Sequence, residues 1–202
     1  MSYFLRVSVP RGLAIALLSM VYDGGLSAQN KSVPLKPGLA LTTPDFQDGG
    51  IIPDKFTYEV KNFVSPKLEW SNVPPGTVSY ALIFHDPDEA FHGHIEDVLH
   101  WLVFNIPGSA RELPGSLAPD PKLADGTIQA NSVRKKPGYM GPGADPPGPY
   151  HHYTFELFAL DTKLDLGPDA TRAQVLQAMD GHILGKAVLV GRFHLKRPLS
   201  GL

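Results

Sequence analysis

The stretch GYMGPGADPPGPYHHYTFELFALD, residues 138–161, changes character at its midpoint, and that change decides the fold. Proline fixes φ and glycine permits backbone shapes closed to other residues, so the first half can hold a rigid, irregular loop with exposed N–H groups. The second half alternates like a strand. By the period of two, His151 and Tyr153 share one face of that strand and His152 points to the other.

Working outward, the chain has 202 residues, a net charge of -2, 20 Gly, 20 Pro and no Cys. That length suits a single domain with a sizeable core, and the Gly/Pro share favours a turn-rich, mainly β chain over a helix bundle. No basic surplus invites nucleic acid. The first residues carry Arg6 and Arg11, an apolar run from Leu13 to Val21, and small residues around Ser27 and Ala28. This is the pattern of a secretory signal peptide: the apolar run falls short of the roughly 20 residues a membrane span needs. We therefore expect residues 1–28 to be a cleaved leader, residues 29–202 to be one domain, and the mature protein to be periplasmic or secreted, with no stable membrane span. Without cysteine, no disulfide can brace the exported fold.

Strands are expected at 55–61, 79–85, 100–105, 153–160 and 187–195, each rich in β-branched or aromatic residues and bounded by Pro, Gly or Asp. A short strand is expected near 126–131. Trp101, Val103, Phe155, Leu157 and Val188 fall in strongly apolar runs and are expected in the interior. One helix is signalled by a capping box at Thr171 and Gln174, an apolar face of Val175, Leu176 and Met179, and Gly181 as its stop.

The segment SYALIFHDPDEA is a strand running into Asp86-Pro87-Asp88. Tyr80, Leu82 and Phe84 lie on one face and Ala81, Ile83 and His85 on the other, with Asp86 following the first set. Taken alone, Asp-Pro-Asp is ordinary turn chemistry. In VLHWLVFNIP, the same period puts His100 on a face with Leu102 and Phe104, where a histidine is usually a hydrogen-bonded core or rim residue. The connection FHGHIEDV gathers His92, His94, Glu96 and Asp97; metal binding there is outweighed by the reading as a solvated polar loop, because ligand spacing alone is a weak signal.

Four motifs in one order, LEWSNVPPGTVSYALIFHDPD, HWLVFNIP, GYMGP with HHYTFELFALD, and MDGHILGKAVLVGRF, resemble the phosphatidylethanolamine-binding protein family, the Raf kinase inhibitor-like proteins, in its bacterial branch. The resemblance covers nearly all of the chain after the leader. It implies a mainly β fold, with a large antiparallel sheet packed beside a smaller one and a C-terminal helix near a small anion-binding pocket. It also implies ligand-binding roles for Asp86 and Asp88 of the DPD motif, His100, His151 and Tyr153, with Gly141 and Gly143 supplying loop backbone. The chain departs from the family pattern in reading DPDEAF after the strand and in placing Ala144-Asp145 where two prolines are usual. Asp145 adds a negative charge near the expected anion.

The function expected is non-enzymatic binding of a small anionic or phosphorylated ligand. No Ser nucleophile elbow, P-loop or H-E-x-x-H helix is present, and no cofactor is implied. Two alternatives stand: inhibition of an extracytoplasmic protease or a kinase, and, less favoured, metal-assisted phosphoester hydrolysis by the histidines and aspartates. An anion beside two aspartates requires partners for them. We expect at least one aspartate to accept a hydrogen bond from His100, His151 or loop N–H groups, and affinity to rise from about pH 8 to about pH 6 as histidine gains its proton.

Overall fold

A computed structural model of the chain describes residues 37–90, 95–146 and 148–197. The expected leader, His92, His94 and Pro147 lie outside the described residues. Two sheets form the body. A three-stranded antiparallel sheet, in the order β1 (Ala40–Thr42), β3 (Leu68–Ser71), β6 (Glu112–Leu113), faces a six-stranded sheet. The six run β2 (Gly50–Ile51), β9 (Ile183–Phe193), β8 (His151–Leu160), β4 (Ser79–Asp86), β5 (Val98–Pro107), β7 (Ile128–Ala130).

β4 lies at the centre and every one of its residues is buried, as expected for a strand with both faces covered. Its alternation divides the interior. Tyr80, Leu82 and Phe84 join Leu41, Leu68 and Trp70 of the small sheet in one core, whereas Ala81 and Ile83 join Leu102, Phe104 and the helix residues Val175 and Met179 in a second. Trp101, Val103, Phe155 and Leu157 are fully buried, as their apolar runs require. Leu157→Ala would cost about 2 to 5 kcal/mol.

The helix α1 (Arg172–Met179) starts at the expected capping box: the Gln174 amide donates to Thr171 Oγ1, and the Thr171 amide donates to Gln174 Oε1 at 2.9 Å. Gly181, at φ 79, follows its end in the left-handed region. Val175 and Met179 are buried, but Leu176 is exposed. α1 precedes the last strand and covers the second core, so it is not the chain's final element. None of its residues lines the cavity described below.

Three further expectations change. The large sheet is mixed, because the two-residue β2 runs parallel to β9. Residues 55–61 do not form a strand: Asp54–Phe56 is a turn of 3-10 helix after Pro53, and Thr57 closes it by bonding Asp54 O through both its amide and its hydroxyl. Local side chain to backbone bonding of this kind competes with strand pairing. Val188 is 45% exposed, since β9 turns Ala187, Leu189 and Phe193 inward and leaves Val188 on the uncovered outer face. β1, β3 and β6, too short to be announced by any periodic run, form the smaller sheet that the resemblance implies.

Candidate ligand-binding site

Because β4, β5 and β8 are antiparallel neighbours, the end of β4 and the starts of β5 and β8 meet at one edge of the sheet. Asp86, His100 and His151 come from those ends. Around them a cavity of about 500 Å³ is lined by Asp86, Glu89, Val98, His100, His151 and Tyr153 from the strand ends and by Met140, Gly143, Ala144 and Asp145 from the Gly/Pro loop; Tyr58, Val133 and Arg134 complete it. That volume suits a small organic molecule.

His100 reaches this cavity through a β-bulge. β4 and β5 pair Phe84 with Trp101 but His85 with Leu99, so Phe84 is opposed by one residue too many. The extra residue turns His100 onto the Phe84 face, away from Leu102 and Phe104. Its ring lies 5.3 Å from that of Phe84 and 5.2 Å from that of Tyr153. The expectation that His100 shares a face with Leu102 and Phe104 therefore fails, for a reason visible only in the register. His100 Nδ1 donates to Met140 O at 3.0 Å, while Met140 N donates back to His100 O at 3.1 Å, fastening the loop to β5. A carbonyl can only accept, so this bond sets the tautomer and leaves Nε2 an acceptor. Burial lowers the His100 pKa from 6.5 to about 4, and the ring is neutral at physiological pH.

Asp86 serves a turn and a histidine together. One carboxylate oxygen accepts the Asp88 amide at 3.0 Å, closing the Asp-Pro-Asp turn, and the other accepts His151 Nδ1 at 2.8 Å. Asp86 is only 3% exposed, so its charge is held by these bonds. With Nδ1 committed, His151 Nε2 has no partner among the described residues. When the ring carries its second proton, that nitrogen donates into the cavity.

Tyr153 changes the expected role of the loop. Its hydroxyl accepts from Gly143 N at 3.2 Å and Ala144 N at 3.1 Å, so these amides are engaged by protein. Burial first and then the Asp86 charge raise the Tyr153 pKa, keeping the phenol protonated. The glycines serve close approach: a Cβ on Gly143 would meet the Tyr58 ring at 2.7 Å, and one on Gly141 would meet Phe56 O at 2.8 Å. Gly141 lies behind the wall and does not line the cavity.

Of the seven residues expected to bind ligand, Asp86, His100, Gly143, His151 and Tyr153 come together on the wall, while Asp88 and Gly141 do not. Asp88 instead accepts the His152 amide at 2.5 Å and His152 Nδ1 at 2.9 Å on the exposed side of β8. Burial raises the Asp88 pKa, but these bonds and the neighbouring histidine charges outweigh it and leave the carboxyl below its ordinary value. Arg134, Tyr58 and Glu89 were not anticipated. Arg134 stands in a turn docked by Val133 N on Leu99 O, and Tyr58 is held by its amide on Pro142 O; both are long-range contacts without a local signature. Among the described residues, no group of three His, Cys, Asp or Glu side chains is arranged to hold a metal ion.

A small antiparallel sheet facing a large mixed one, with a polar cavity at one strand edge walled by a Gly/Pro loop, defines a mainly β protein of two sheets and, among the described residues, a single α-helix. A family profile for phosphatidylethanolamine-binding protein matches residues 42–194. A UPF0098 protein of Methanothermobacter thermautotrophicus is 41% identical over 153 residues, covering 76% of this chain and 97% of that protein. A Mycobacterium tuberculosis relative whose name proposes a lipoprotein, LppC, is 37% identical over 161 residues, covering 79% of this chain and 74% of its own. Among solved structures, a homolog of phosphatidylethanolamine-binding protein from Chlamydia trachomatis, CT736, superposes with a TM-score of 0.69 at 31% identity, covering 79% of this chain and 99% of its own. The chain belongs to the phosphatidylethanolamine-binding protein family.

Proposed function

We propose that the protein binds a small ligand carrying a phosphoryl or similar oxyanion group, without turning it over, outside the cytoplasm. The observation that carries this reading is the His151–Asp86 pair at 2.8 Å on the wall of an open cavity of about 500 Å³. A carboxylate behind the ring fixes its orientation and leaves the second nitrogen facing outward, where in the doubly protonated ring it can donate to an anion. Localisation rests on the leader pattern of residues 1–28. Among the described residues, no helix is long and apolar enough to cross a membrane.

Calorimetry with sulfate, inorganic phosphate and phosphoethanolamine tests the reading. Sulfate keeps its charge between about pH 8 and about pH 6, whereas phosphate loses charge near pKa 6, so sulfate isolates the protein's own titration. Affinity for sulfate is expected to rise as pH falls across that range. Absence of binding to all three anions, or steady hydrolysis of phosphoesters by metal-analysed protein, would contradict the proposal.

A further inference from the structure

The candidate donors in the cavity are fewer than its lining suggests. The Gly143 and Ala144 amides bond Tyr153, and His100 spends its N–H on Met140 O. Since burial keeps His100 neutral down to about pH 4, it brings no positive charge. His151, Arg134 and the phenol O–H groups of Tyr58 and Tyr153 remain. Arg134 is the only fixed cation on the described wall, which also carries Glu89 and Asp145. Neither acid pairs with it: the one arginine ion pair among the described residues joins Arg172 to Asp97, elsewhere in the fold.

Arg134 lies instead over the Tyr58 ring, with its central carbon 4.6 Å from the ring centroid. Stacking engages the face of a guanidinium and leaves the N–H fork at its edge available for an oxyanion. Tyr58 supplies a second, independent sign. Its Oη is buried without any hydrogen-bond partner, and an unpaired buried hydroxyl is costly. The Tyr58 ring in turn rests against Gly143, where any larger residue would displace it. The supporting turn is ordered by bonds from Ser132 N to Lys136 O, Lys135 N to Ser132 O and Val133 N to Leu99 O.

We propose that Arg134 and Tyr58 form a subsite at the cavity wall that receives an oxyanion of an organic ligand, the guanidinium by its fork and the phenol by its O–H. This rests on the reading of the cavity as an anion site and names the residues that supply its fixed charge. The group received is a phosphoryl or comparable oxyanion, borne either by a soluble ester or by a lipid head group.

The test is calorimetry with phosphoethanolamine on the parent and on Arg134→Gln, Arg134→Lys, Tyr58→Phe and Lys135→Gln, together with flotation on phosphatidylcholine vesicles with and without phosphatidylethanolamine. Arg134→Gln is expected to weaken binding at least tenfold and to flatten its salt dependence. Arg134→Lys should recover part of the loss. Tyr58→Phe should weaken binding severalfold without lowering the melting temperature, since it deletes a hydroxyl that has no partner. Lys135→Gln, on the same turn but outside the wall, should stay within about twofold of the parent, as exposed charges screened by solvent do. A loss specific to Arg134→Gln with either source supports the subsite, and the source that binds tells whether the ligand is soluble or lipid-borne. If the parent binds and Arg134→Gln binds equally, the subsite is refuted while the anion reading stands; if the parent binds neither source, both fall.

Discussion

His85 and Asp86 are consecutive on β4, yet each belongs to a different polar cluster on its own face of the large sheet. Asp86 faces the cavity, where His151 is bonded on one ring nitrogen and the other has no protein partner among the described residues. On the opposite face, His85 bonds Asp97, which also holds Arg172 of α1; Glu156 lies 3.6 Å from His85 Nε2 and is itself paired with Lys186. The second cluster brings together more charge than the first, but its groups are spent on one another, none of them lines the cavity, and the His85 Nε2 atom is buried. Histidine and aspartate are common to both. Available space, rather than residue type, separates a binding site from a structural network.

The contrast makes the closed cluster a matter of stability and the open one a matter of affinity. The largest effect is expected from Asp97→Ala, which leaves Arg172 and His85 without their shared acceptor. It should cost on the order of 3 kcal/mol in denaturant unfolding, with phosphate affinity unchanged. Burial raises the Asp97 pKa, but the bonds and charges of Arg172 and then His85 outweigh it and hold the carboxyl below its ordinary value. Its contribution is therefore complete above the unfolded pKa near 4 and lost as pH falls through the folded one, an acid limb that Asp97→Asn should remove.

Next is His100, whose folded pKa of about 4 lies below the unfolded 6.5. Between those values the unfolded chain binds the proton and the folded chain does not, so stability should fall by about 3 kcal/mol as pH drops through that window. His100→Asn should flatten this slope in pH-dependent unfolding; an unchanged slope would show that His100 is protonated in the fold. Asp86→Asn follows, weakening phosphate binding about tenfold, or about 1.4 kcal/mol, by removing the charge behind His151. The smallest effect belongs to His152→Ala, whose exposed pairing with Asp88 should alter affinity by less than about twofold. A loss from His152→Ala equal to that from Asp86→Asn would erase the distinction between the faces of β8.

Much of this was legible locally. Alternation alone separated Tyr80, Leu82 and Phe84 from Ala81 and Ile83, divided His151 from His152, and the Thr171–Gln174 box marked the helix start. Contacts set by distant partners were not legible. The direction of His100 depends on a bulge between two strands, Arg134 arrives through an amide bonded to Leu99, and the loop amides are consumed by a tyrosine that follows them on β8. β2 and β6, of two residues each, are too short to show a period. Resemblance placed Asp88 in the site because it shares a motif with Asp86. The turn between them sends the two carboxylates to different histidines.

The most direct test is to titrate the protein with sulfate at constant pH while following its histidine ring nitrogens by NMR. Saturable shifts of the His151 ring resonances, with those of His85 unmoved, are the predicted result. Shifts at His85 with none at His151, or no saturable shift at either ring, would contradict the assignment of the open cluster as the anion site.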